Sequence, residues 1–157
     1  MDITSSSVVT QESVVTILFF VVFSFLFWFV YKKATIKIVL PPVLPQEGVS
    51  IPIFNAYLGG RILNVHNGLW ASLTLFDDHF EFRVLTKKVA SFGDVKEVSV
   101  NSGLLGGSTS IIISFNNGSW SYRGFMNKHN QREVLNYFKS KGCNLSPEAL
   151  AVLNQAV

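Results

Sequence analysis

One cysteine, Cys143, occurs in 157 residues, so no internal disulfide can form, and the chain fits a reducing compartment. Charge is also scarce. Thirteen Lys or Arg and ten Asp or Glu give a net +3, and the excess is dispersed with no basic block. That argues against nucleic acid as a partner, because such proteins present a clustered basic face. His66, His79 and His129 share no metal-ligand spacing. No Gly-x-Ser-x-Gly elbow occurs, and Gly59-Gly60 and Gly106-Gly107 lack phosphate-loop context and read as tight turns. Asp77-Asp78 reads as a hairpin turn, not a catalytic carboxylate pair. Cys143 follows an expected helix C-terminus, where the negative end of the dipole disfavours a thiolate. Neither catalytic residues nor a metal or other cofactor is expected, and the chain reads as no enzyme.

What is present is an apolar run, Val14 to Tyr31, broken only by Thr16 and Ser24 and free of charge. As a helix its 18 residues rise about 27 Å, close to the roughly 30 Å hydrocarbon core. The sequence therefore predicts a transmembrane helix over 14–31. A cleaved signal peptide would carry its positive charge before the run and small residues after it. Here Asp2 and Glu12 precede, Lys32, Lys33 and Lys37 follow, and no Ala-x-Ala-like site comes after. These lysines predict an outside N-terminus and a cytoplasmic C-terminal domain, with Trp28 and Tyr31 in the headgroup zone at the membrane flank. The run holds no glycine, no small-xxx-small pattern and no ionisable group, which fits a lipid-facing anchor better than a dimer face or an ion path.

The expected organisation is a disordered tip over 1–13, the anchor over 14–31, and a juxtamembrane, Pro-rich linker over 32–56. A β-rich domain over 57–142 and a short C-terminal helix over 143–157 complete it. Pro41, Pro42 and Pro45 stiffen the linker. Strands are expected at Arg61–Val65, Trp70–Phe76, His79–Leu85, Val89–Phe92, Asp94–Val100, Thr109–Phe115 and Trp120–Phe125, with apolar residues at alternate positions. Asn116-Asn117-Gly118 marks a hairpin. A helix is expected from Asn130, which can cap with Glu133 three residues on, to Gly142. Ser146-Pro147-Glu148 starts another. The fold class is thus α+β, mainly β: about seven antiparallel strands in a bent sheet or partial barrel, closed by a helix.

Three stretches carry a resemblance to the pleckstrin-homology (PH) and GRAM-like superfold. Leu73 to Phe82 resembles the early hairpin of such domains, in which a strand turns on acidic residues into an aromatic strand. Lys88 to Val98, with Asp94-Val95 at its centre, resembles the segment where GRAM-like domains carry an Asp-Ile step. Trp120 to Phe125 followed by Gln131 to Lys141 resembles the last strand and closing helix. The likeness covers roughly 57–142. It implies binding of lipid head groups or protein partners without catalysis. Members that bind phosphoinositides place several Lys and Arg around the first strand-turn-strand, where this chain has only Arg61.

The candidate contact residues are Leu104 and Leu105, in a Gly-rich loop, and Lys87, Lys88, Lys128 and Arg132. The leucines could dip into lipid or a partner, or fold back as a lid. The cations, with Lys139 and Lys141, either scatter over a solvated face or form one membrane-facing patch. The functional expectation is a membrane-anchored PH-like binding or assembly module engaging membrane lipid or a peripheral or integral protein partner. The alternative is a small accessory subunit of a larger membrane complex.

Overall fold

The computed structural model describes residues 5–60, 64–67, 70–102, 108–118 and 120–155. The chain divides into two compact units, Met1–Lys33 and Ala34–Val157.

The first unit is built on helix α1, Ser5–Thr35. Its side chains from Val14 to Phe29 include large apolar groups on all sides, each 38–68 % exposed. The expected transmembrane helix is overturned: among the described residues no helix is long and apolar enough to cross a membrane.

The second unit is mainly β. Its strands are β1 (Val49–Ile51), β2 (Asn55–Gly60), β3 (Asn64–Asn67), β4 (Ser72–Leu75), β5 (His79–Arg83), β6 (Lys87–Ser91), β7 (Val95–Ser102), β8 (Ser108–Phe115) and β9 (Trp120–Asn127). Helices α2 (Lys128–Ser140) and α3 (Pro147–Asn154) follow. The strands form two antiparallel sheets, ordered β1-β4-β5-β6 and β3-β2-β9-β8-β7. The expected bent sheet of about seven strands is corrected to these two. Consecutive strands β1 and β2 belong to different sheets, and Pro52 between them interrupts the ladder because it has no N–H to donate. β3 and β4 likewise fall in different sheets. The segment expected as linker contributes β1 and the buried Leu44, Ile51 and Ile53.

Alternation decides the core. In β4, Leu73 and Leu75 are buried; in β5, Phe80 and Phe82; in β9, Tyr122, Gly124 and Met126. Burial pushes the Tyr122 phenol far up from its ordinary value. Gly124 sits in a tight space: a Cβ there would lie 3.0 Å from the Tyr122 hydroxyl and 3.3 Å from Ile53 Cδ1, so those side chains would have to yield. α2 covers this core with Val134, Leu135, Tyr137 and Phe138. Its N-cap is Asn127, whose side chain accepts from the Asn130 amide, three residues earlier than the expected cap. α3 starts as expected, on the Ser146 cap with Pro147 next. Residues 144–146 lie along β7: the Val98 amide donates to Asn144 O (2.8 Å) and Val98 O accepts from the Ser146 amide (2.9 Å). That bridge covers part of an otherwise open sheet edge.

Asp77 ties the β4–β5 turn to the end of α2. Its carboxylate accepts from Lys141 Nζ (3.2 Å) and from the Tyr137 hydroxyl (3.3 Å). The hydrogen bond from Lys141 leads in holding Asp77 below its ordinary 3.8. A carboxyl lowered by folding contributes stability above its unfolded value and loses it as pH falls through the folded one. Asp77→Asn should therefore be less stable than the parent by a constant amount above roughly pH 5, with the gap closing in acid. Urea unfolding at a series of pH values checks this; a gap that does not narrow in acid would contradict it.

Candidate anion-binding cleft

Three cations converge in the second unit. Lys37, Lys128 and Arg132 line a cleft of about 800 Å³ whose walls include Val100, Ala151 and Val152. α2 supplies Lys128 and Arg132 at a spacing of four, which places both on one helix face. β7 supplies Val100, and α3 supplies Ala151, Val152 and Glu148. Gln131 forms part of the floor, its Nε2 donating to Ser110 O at 3.1 Å. Arg132 Nη2 donates to Leu153 O at 3.3 Å, joining α2 to α3.

The local field favours an anion. Lys128 occupies the first turn of α2, which holds no acidic residue. A cation at the positive end of a helix dipole adds to the field, where an acid would cancel it. The ion pairs among the described residues are His79–Asp78, Lys87–Glu81 and Lys141–Asp77, so none involves the cleft cations. Glu148 is the carboxylate on the cleft wall. Its own amide and the Ser146 hydroxyl stabilise the charged form and hold it below its ordinary value.

Lys37 reaches the cleft because residues 36–40 are strapped to α2. Among the described residues five hydrogen bonds hold the strap, each between an α2 or cap side chain and the strap backbone. The Asn130 carboxamide accepts from the Ile38 amide (3.0 Å) and donates to Ile36 O (2.9 Å). Asn127 Nδ2 also donates to Ile36 O (2.8 Å). His129 Nε2 donates to Ile38 O (2.6 Å), and Glu133 Oε2 accepts from the Leu40 amide (3.0 Å). Asn130 thus pairs with the strap as a neighbouring strand would. Ile38 and Leu40 pack against the core, while Val39 is exposed.

The expected contact residues separate. Lys128 and Arg132 share the cleft; Lys87 and Lys88 do not line it. Lys87 is paired with Glu81 at 2.7 Å, and Lys88 Nζ lies 4.8 Å from the Trp120 ring centroid. Leu104, Leu105 and Arg61 lie outside the described residues, as does the side chain of Lys33. Lys37, expected at the membrane flank with Trp28, Tyr31 and Lys32, lines the cleft with the α2 cations. Lys32 Nζ lies 5.1 Å over the Trp28 ring, and Tyr31 is exposed. Sequence reading missed Asn127, His129 and Glu133 as strap holders, and it read Asn130 as a cap; the alternation Ile36, Ile38, Leu40 was the available signal of an extended segment.

Elsewhere the chemistry is sparse. Among the described residues no group of three His, Cys, Asp or Glu could hold a metal. His79 stacks on Phe76, and His66 packs against Tyr57. Cys143 is buried, its Sγ near Phe92 O at 3.6 Å, and burial pushes its thiol up. No protein-family model matches this chain, and no curated protein matches it in sequence.

Proposed function

We propose that this chain is a non-enzymatic binding and assembly module of the PH/GRAM-like kind, associated with a membrane on its cytoplasmic face, whose basic cleft takes a phosphate-bearing lipid head group. The convergence of Lys37, Lys128 and Arg132 on one apolar-walled cleft carries this reading. Cations and aliphatic side chains lining the same cleft suit a ligand that is anionic at one end and greasy at the other. The apolar surface of α1 supports association with a membrane.

The test titrates inositol trisphosphate, as a soluble head-group analogue, into the full chain held in zwitterionic micelles, and reads binding by calorimetry. Each cleft cation contributes about 1 kcal/mol, or roughly fivefold in affinity. Lys37→Gln, Lys128→Gln and Arg132→Gln together should then weaken binding about 100-fold. Lys87→Gln with Lys88→Gln should leave it unchanged. Equal binding by the triple variant and the parent rules the cleft out.

A second reading, an accessory subunit of a larger membrane complex, is favoured by α1 itself. A helix apolar on every side is normally buried, in lipid or among other helices. Purification from native membranes in mild detergent separates the readings: a stoichiometric integral-membrane protein would favour the subunit.

A further inference from the structure

The hydrogen bonds that hold the strap to α2 and its cap all meet the strap backbone. Every α2 or cap group that bonds it, Asn127, His129, Asn130 and Glu133, meets a peptide N–H or C=O of residues 36, 38 or 40. The register is therefore set at alternate residues, and residue 37 between them is left to project elsewhere. Its side chain lines the cleft. His129 takes part in both features, lining the cleft while its Nε2 holds Ile38 O.

We propose that Asn127, His129, Asn130 and Glu133 form a backbone clamp that positions Lys37, so that strap docking and anion occupancy of the cleft are thermodynamically linked. The linkage rests on the anion-binding reading above; the clamp itself does not. With the strap docked, the third cation is preorganised and an anion binds without ordering it first. Coupling is reciprocal: an anion that needs the docked strap must also tighten it, by the same factor. The four clamp residues are positioning residues, since they act through Lys37.

Amide hydrogen exchange of the full chain in zwitterionic micelles, with and without saturating inositol trisphosphate, tests both parts. The Ile38 and Leu40 amides should be protected in the unliganded chain. Glu133→Ala should speed Leu40 exchange about tenfold, the equivalent of one lost hydrogen bond, and Glu133→Gln, which keeps an acceptor, should restore protection. Glu133→Ala should also weaken anion binding severalfold in the parent, and leave binding unaltered when Lys37→Gln is already present. Saturating anion should slow exchange at both amides, and Lys37→Gln should abolish that slowing while keeping the basal protection. Unprotected strap amides in the parent would overturn the clamp. Tight anion binding with unchanged strap exchange would overturn the linkage and spare the cleft. Protected amides with no anion binding would overturn the cleft reading and the linkage with it, leaving the clamp standing.

Discussion

Phe80→Ala should destabilise the β-domain by about 3–5 kcal/mol. Phe80 is fully buried in β5, paired across the sheet with Leu75 of β4 and Ala90 of β6. Its ring meets Phe92 at 5.5 Å, Phe115 of β8 at 6.2 Å and Phe138 of α2 at 5.2 Å. One side chain thus joins the first sheet, the second sheet and the covering helix. Truncation removes its transfer free energy and opens a cavity among rings held by three separate elements, which cannot all close on it. A domain of this size is stable by about 5–15 kcal/mol, so the variant keeps only a fraction of that. Leu85→Ala and Val89→Ala, at exposed positions nearby, should change stability by less than about 0.5 kcal/mol. Denaturant unfolding followed by tryptophan fluorescence reads the contrast. A loss below about 1 kcal/mol for Phe80→Ala would mean that this aromatic cluster is not the core.

Asn130→Asp should be nearly as damaging at neutral pH, by about 3 kcal/mol, despite a change of one atom. Asn130 is 0 % exposed and uses both ends of its carboxamide on the strap. A carboxylate there still accepts from the Ile38 amide, but it faces Ile36 O with a second acceptor and buries a charge. Burial disfavours the charged form and raises the pKa of the new carboxyl in the folded state. A group raised by folding contributes most below its unfolded value and loses that contribution as pH rises through the folded one. The deficit relative to the parent should therefore be smallest in acid, where a protonated carboxyl can donate to Ile36 O, and should grow towards neutral pH. Unfolding of both chains at pH 4 and pH 7, roughly the ends of that window, checks the trend. A deficit independent of pH would show that the site is wet enough to hold the charge.

The two carboxyl effects run in opposite directions. Asp77 is exposed and its charge is stabilised by Lys141, so its replacement matters least in acid because the parent has lost the advantage. The new carboxyl at 130 is buried away from any cation bonded to that amide, so its charge is the defect. Both follow from which protonation state the fold prefers.

Much of the architecture was legible in local pattern. Period-two alternation marked the buried face of β4 and β5, Asn116-Asn117-Gly118 marked a hairpin, and Ser146-Pro147 marked the start of α3. Each of these is decided within a few residues, by pleat, by positive φ at Gly118, or by a capping hydroxyl. The apolar run correctly indicated helix, and α1 extends beyond it at both ends. The step from helix to membrane span was overturned, since among the described residues no helix is long and apolar enough to cross a membrane.

By itself the sequence determined the alternating core faces, the turns, the single thiol and the modest basic excess, since each depends on residue type and nearest neighbours. Only the tertiary structure decided that Lys37 belongs with Lys128 and Arg132, and that Asn130 is a buried strap holder and not a cap. Those partners lie more than 90 positions apart, as the Ile38–Asn130 separation of 92 illustrates. No periodicity carries such a contact; it exists only once the strap has been laid across α2, and with it the cleft.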